Sequence, residues 1–278
     1  MFIAELIVLG LCLGSFTGAL VWRLHEQSLP VKKQAAKPAE LSITKGRSMC
    51  PHCQHTLAAK DLIPLVSWIT LRGRCRYCKH PIGWQEPILE VAMPLLFVLS
   101  YVFWPFAFDA EGIFLLVCWL LAVVGLVALF VYDLRWMLLP NKVVFPLIGL
   151  GVLQMLVVAF VFDGGLHAIL GAAAGLAIAG GIFYVLFQVS KGKWIGGGDV
   201  KLGYAIGLLL GSPSLAFLML FVASLLGVAA SLPGLFTKKL AVTSRIPFGP
   251  FLIVSTMIVM LFGASIIEWY KLHILYLP

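Results

Sequence analysis

Residues 113–133 read IFLLVCWLLAVVGLVALFVYD, from Ile113 to Asp133. Twenty residues pass without a charge before the acid arrives. That is the length of α-helix needed to cross the hydrocarbon of a bilayer. The span is helical because backbone polar groups in lipid must be satisfied internally. Asp133 therefore stands at the end of a membrane helix, where an ionisable side chain is costly and marks a candidate site.

Working outward, the same pattern recurs along the chain. Of its 278 residues, 61% are hydrophobic and 12% charged, against about 25% charged in ordinary soluble domains. Apolar spans are expected from about Phe2 to Trp22, Pro87 to Phe108, Gly112 to Tyr132, Val143 to Phe162 and Leu166 to Val189. A short one follows from Asp199 to Leu210. Gly211-Ser212-Pro213 turns into a seventh that ends near Gly234, and the eighth runs from Phe248 to Trp269. The fold class is thus an all-α polytopic membrane protein with about eight transmembrane helices. The first span has no basic segment before it and reads as retained, not as a cleavable signal peptide.

The formal charge of +8 would suggest nucleic acid in a soluble protein. Here the positive-inside rule accounts for it, and no nucleic-acid partner is implied. With the loop after the first span in the cytoplasm, nineteen of the twenty Lys and Arg residues fall on that side, Lys271 being the exception. Both termini then face outward. Trp22, Trp104, Trp136, Trp194 and Trp269 fall near span ends, as interfacial aromatic belts require. Small residues suit close helix packing at Gly14-Ser15-Phe16-Thr17-Gly18 and from Gly171 to Gly181. No convincing internal repeat is visible.

The same topology puts a second acid beside the first. Gly196-Gly197-Gly198-Asp199-Val200-Lys201 precedes the short span. Alone, this could be a solvated glycine loop. Three glycines also let the chain pack closely before a helix, whose positive end would favour the Asp199 carboxylate. Asp133 and Asp199 both come to the cytoplasmic face on different helices. Two close carboxyls cannot both ionise easily, so one keeps a proton. The ionised one can take a proton from water while the other polarises a peptide carbonyl. That is aspartyl-protease chemistry. Lys201 reads as a boundary marker.

Residues 23–86 form the one sizeable polar region. Its start, to Thr44, reads as an extended or mobile linker. Cys50-Pro51-His52-Cys53 and Cys75-Arg76-Tyr77-Cys78 then give two CxxC pairs, a strong zinc pattern in which four thiolates fill a tetrahedral structural site. Two disulfides are the alternative, disfavoured by the basic flanks that place the loop in a reducing compartment. His52, His55 and His80 read as surface groups or as braces for the ligands. Cys12 and Cys118 lie in apolar spans and read as packing residues. The segment Asp61 to Ile69 is too short to span and reads as an interfacial or packed helix. Glu90, near the start of the second span, is either functional or in the headgroup region.

Taken together, these motifs make the chain resemble the bacterial type IV prepilin peptidases, bifunctional leader peptidases and N-methyltransferases. The resemblance covers nearly the whole chain. It rests on Gly14-Ser15-Phe16 through Arg23, on Arg47 to Cys53, on Ile63-Pro64-Leu65-Val66-Ser67-Trp68, on Leu71 to Cys75, on Pro87 to Glu90, on Asp133 with Pro140-Asn141, and on Gly196 to Lys201. It implies that Asp133 and Asp199 are the catalytic dyad of a GxGD-type intramembrane aspartyl peptidase in the bacterial inner membrane. The family removes the short basic leader from prepilins and pseudopilins, for pili or type II secretion, on the cytoplasmic side. It then methylates the new N-terminal residue with S-adenosylmethionine. The division implied is a first helix (1–22), a zinc-binding loop domain linked to methyl transfer (23–86) and a seven-helix peptidase domain (87–278).

Two departures stand out. Gly18 occupies a position where many members show Asn, and Trp84-Gln85-Glu86-Pro87 stands where relatives often carry Arg-Tyr-Pro. Both lie in the part associated with methyl transfer, so a peptidase-only member is the alternative reading. Arg23, Glu86 and Glu90 are the candidates for positioning the amine or the methyl donor. No Rossmann-type glycine fingerprint is present. A more remote alternative is an ion-coupled transporter using the two acids. It is disfavoured because both lie at one face and no inverted repeat is visible.

Overall fold

A computed structural model describes residues 2–34, 36, 40–43, 45–236 and 246–275. Lys238, Lys239 and Arg245, which the charge argument uses, lie outside the described residues. Two compact units emerge, Met1–Val102 and Phe103–Pro278. The described residues form helices and turns with no strand, only two isolated β-bridges. Seven helices among them are long and apolar enough to cross a membrane. The one expected span not among these, the short sixth, is a helix of 14 residues, about 21 Å long at 1.5 Å per residue.

In the first unit, α1 (Phe2–Ser28) and α3 (Gln85–Val102) pack antiparallel. Their contact is a stripe of glycines four residues apart. A Cβ on Gly14 would lie 2.5 Å from the Leu89 carbonyl oxygen, and one on Gly10 would meet the backbone of Pro94. One on Gly18 would run into the Glu86 carboxylate. Small residues at this spacing let two backbones approach closely, which drives association where lipid supplies no hydrophobic force. The first helix extends past Trp22 to Ser28. Arg23 can stay buried in it because its guanidinium donates to the carbonyls of Ser42, Ile43 and Gly46 at 3.1, 3.3 and 3.0 Å. Between α1 and α3 lie a one-turn helix, α2 (Val66–Thr70), and the two cysteine turns. Cys118 is buried as expected, whereas Cys12 lies on the exposed side of α1.

The second unit holds α4 (Ala110–Trp136), α5 (Asn141–Phe160), α6 (Gly165–Leu176), α7 (Ile182–Ser190), α8 (Gly197–Leu210), α9 (Pro213–Phe236) and α10 (Gly249–Tyr270). Asp109 caps α4, its carboxylate accepting the Gly112 amide at 2.8 Å. Met137 ends that helix in the left-handed region, its N–H donating to the Asp133 carbonyl. A five-residue π turn, Ala177–Gly181, joins α6 to α7.

The core of this unit is α8, which packs against α5, α6, α7, α9 and α10. Leu202, Ala205, Ile206 and Leu209 are fully buried. Against α6 it runs antiparallel through a second glycine zipper. A Cβ on Gly171 or Gly175 would lie 2.7 or 2.6 Å from the carbonyl oxygens of Gly211 and Gly207. One on Gly203 would lie 2.6 Å from the Ala179 oxygen, at the π turn. A helix sheathed in this way need not traverse the full hydrocarbon, since its ends meet protein and not lipid.

Candidate active site and metal centre

Each acid reaches the site by its place on a helix end. Asp133 stands in the last turn of α4 and is 5% exposed. Asp199 stands in the first turn of α8. Gly196 is the cap residue there and has no side chain to cover the orphan amides. The Asp199 carboxylate, three residues on, accepts the Gly196 amide instead, which is half of a capping box. It sits at the positive end of the α8 dipole. The two carboxyl groups approach closely enough to interact electrostatically.

The loop and helix that follow Asp133 close over the glycine run. Leu139 packs on Gly198, where a Cβ would lie 3.1 Å from its own. α5 starts at Asn141 after Pro140, two residues before the Val143 expected from the sequence. The Asn141 side-chain oxygen accepts from Lys201 Nζ at 3.0 Å, and that ammonium lies 5.6 Å from the centre of the Phe145 ring. Lys201 thus ties α8 to α5 as well as adding charge. At the other end of α8, Gln154 of α5 donates to the Leu209 carbonyl at 3.1 Å. The helix that carries Asp199 is pinned along its length.

Sequence reasoning missed Gly249. Its amide donates to the Asp133 carboxylate, and a Cβ there would lie 2.5 Å from Asp133 Oδ2. The available signal was Phe248-Gly249-Pro250, a glycine before a proline at the opening of a helix. Nothing local said which side chain the glycine would face.

In the first unit, the sulfur atoms of Cys50, Cys53, Cys75 and Cys78 all lie within 4.8 Å of one another. Cys50 and Cys78 sulfurs are 3.9 Å apart, close to the ~3.8 Å edge of a tetrahedron with ~2.3 Å zinc–sulfur bonds. The donor set therefore fits a tetrahedral thiophilic ion. Burial pushes the Cys75 thiol up, but the amides of Cys78 and Tyr77 and the neighbouring cysteines outweigh it and bring it down to about 7. Burial pushes the Cys50 thiol up.

The two cysteine turns are a structural repeat. In each, the first cysteine's carbonyl accepts from the residue four on (Gln54, Lys79), and its amide donates to the histidine carbonyl five on (His55, His80). Gln54 and Lys79 both have positive φ, 58° and 60°. Met49 pairs with Thr56 and Arg74 with Pro81. Two ring contacts close the pair. His52 stacks on His80 at 4.0 Å, and His55 lies against Tyr77 at 3.7 Å. Exchanging the two turns maps one contact onto the other. Asp61 fastens the second turn to the connector, its carboxylate accepting from Arg76 Nε at 2.6 Å, Tyr77 Oη at 3.0 Å and the Ala58 amide at 3.2 Å.

The remaining candidates are Arg23, Glu86 and Glu90. Arg23 holds three carbonyls of the loop, Glu90 accepts the Leu65 amide at 2.7 Å, and Glu86 lies over Gly18. The two departures at Gly18 and Glu86 therefore meet in space.

Residues 8–104 match the bacterial peptidase A24 N-terminal domain, and residues 113–232 match the type IV leader peptidase family. A prepilin leader peptidase/N-methyltransferase of Aeromonas hydrophila is 35% identical over 229 residues, 82% of this chain and 76% of that one. The chain belongs to the prepilin leader peptidase/N-methyltransferase family. Family members from Stutzerimonas stutzeri and Dickeya chrysanthemi are 32% and 35% identical over 281 and 260 residues. These alignments cover 97% and 90% of this chain, and 93% and 89% of theirs. No solved structure matches the chain.

Proposed function

We propose that this chain removes the leader from prepilins and pseudopilins and then N-methylates the exposed residue. The observation that carries the peptidase half is the close approach of Asp133 and Asp199 at the ends of two helices. Two carboxyl groups that repel one another in this way leave the pair holding one proton. The ionised carboxylate takes a proton from water as its oxygen adds to the scissile carbonyl carbon. The protonated carboxyl donates to the developing oxyanion. Collapse of the tetrahedral intermediate breaks the C–N bond: the carboxyl that took the water proton gives it to the leaving nitrogen, and the other carboxylate takes back a hydroxyl proton as the carbonyl re-forms. The Gly249 amide and the α8 terminus hold the carboxylates in place through this cycle.

The methyltransferase half belongs to the first unit. S-adenosylmethionine, when bound, supplies an electrophilic methyl group for the new amine. Cys50, Cys53, Cys75 and Cys78 would hold zinc as a structural ion, which would keep the two turns together. Arg23 and Glu90 act by fixing loop backbone, and Glu86 stands where α1 lacks a side chain. The domain division at residues 22 and 86 and the inner-membrane topology, with a cytoplasmic site and outward termini, complete the reading.

The test is purified protein with a prepilin that retains its leader, with and without S-adenosylmethionine, read by intact mass. Leader loss plus one methyl mass is expected, and Asp133→Ala or Asp199→Ala should each abolish cleavage. Near-normal cleavage by either variant overturns the dyad. Cleavage that never yields a methylated product favours the peptidase-only reading suggested by Gly18 and the Trp84–Pro87 segment.

A further inference from the structure

The face of α3 that points away from α1 is an apolar stripe of Ile88, Val91 and Leu95, all exposed. The spacing is that of one helix face, and in a membrane helix such a face meets lipid. Trp84, one turn before Ile88 and 69% exposed, continues the stripe beyond the helix. Its ring packs on Trp68 of α2 at 4.7 Å. On the outer side of α2, Val66 and Ile69 are exposed, with Leu62 and Ile63 just before them. Scattered exposed apolar residues are ordinary, but a run continuous with a lipid face is not.

The backbone is fixed to present this patch. Leu65, the residue before α2, has φ of +60°, a conformation that costs a bulky residue energy and persists only where its surroundings hold it. Buried Glu90 on α3 supplies the hold by accepting the Leu65 amide at 2.7 Å. Charge agrees with the same partner. Among residues 45–83, seven are basic and only Asp61 is acidic, and Asp61 is already bound to Arg76. Lys60, Arg72, Arg74 and Lys79 are exposed.

We infer that Leu62–Ile69 and Trp84 form an interfacial anchor that seats the cysteine-turn region on the anionic surface of the bilayer crossed by α1 and α3. The apolar side chains enter the acyl boundary, as in interfacial helices. The surrounding Lys and Arg meet lipid phosphates, an attraction confined to about a Debye length.

The experiment uses the full chain in nanodiscs of phosphatidylethanolamine and phosphatidylglycerol, with Ile69 replaced by a dansyl-bearing amino acid. Lipids carrying a nitroxide near the glycerol should quench the probe at least twofold, while aqueous iodide should quench it far less than a probe at exposed Lys45. Replacing phosphatidylglycerol by phosphatidylcholine should weaken the lipid quenching. A second chain with the probe at Trp84 repeats the test at an independent site. Free access of iodide with no lipid quenching overturns the proposal. So does protection from both quenchers, which would mean that a protein covers the patch. Lipid quenching indifferent to headgroup charge overturns the anionic part. None of these readouts involves peptide cleavage, so their failure leaves the peptidase assignment standing.

Discussion

At the scale of the residue, Gly249 is the sharpest case. Gly249→Ala would push a methyl group into Asp133 Oδ2, since the Cβ would lie 2.5 Å away. A shift approaching 1 Å in a reacting group costs roughly 100-fold in rate. We expect cleavage to fall by about that factor while the protein still inserts and keeps its melting temperature within a few degrees. Undiminished cleavage would remove Gly249 from the site. Asp61 gives a pH prediction. Burial pushes its carboxyl up, but Arg76, Tyr77 and the Ala58 amide outweigh this and hold it below the usual range. A depressed folded value stabilises above the unfolded value of about 3.9 and fails only as pH falls through the folded one. Asp61→Asn should therefore lower the melting temperature equally at pH 8 and pH 6. A loss that disappears at pH 6 would contradict the contact. The acids were legible in the sequence because Asp133 and Asp199 each interrupt apolar chain. Gly249 was not, because a glycine's meaning lies in what approaches it, and here that is a side chain from a distant helix.

At the scale of the element, the glycine zippers hold the geometry. Gly207→Val would place methyl groups where the Gly175 carbonyl and the Leu176 backbone already sit. Overpacking of this kind costs typically 1–3 kcal/mol, and α8 would move with Asp199 on it. We expect a lower melting temperature and weakened cleavage together, measured on the same preparation. Loss of neither would mean that α6 and α8 are not locked. Most helix ends fall within a few residues of the sequence reading, because apolar length and proline or glycine breaks determine them. From sequence α1 looks shorter than it is because Arg23, His25 and Glu26 look like loop, and the carbonyls that shelter Arg23 come from nineteen residues or more along the chain. The repeat of the cysteine turns is not legible in the sequence for a different reason. MCPHCQHT and RCRYCKHP share only the two cysteines and one histidine. What repeats is the sign of φ and the hydrogen-bond pattern, neither of which has a letter.

At the scale of the whole molecule, the seven long apolar helices were legible from composition, and so was the four-cysteine centre. The short α8 was legible as a helix but not as the core of its unit, since burial by five neighbours is a tertiary fact. The two activities should separate on metal removal. On the proposed assignment of zinc and methyl transfer to the first unit, chelation should abolish methylation of a processed pilin while leaving leader cleavage within about twofold, because loss of the ion would unfold the site. Equal loss of both would show that the cysteine turns serve the peptidase too. The grip of Arg23 on Gly46 bears on how far the cysteine turns can move. Only three residues separate Gly46 from Cys50, and six separate Cys78 from the start of α3 at Gln85. Six extended residues reach about 20 Å at most. The cysteine turns are thus moored fore and aft and cannot serve as a swinging arm. Whatever the cysteine turns handle must therefore come to a fixed berth beside α1 and α3.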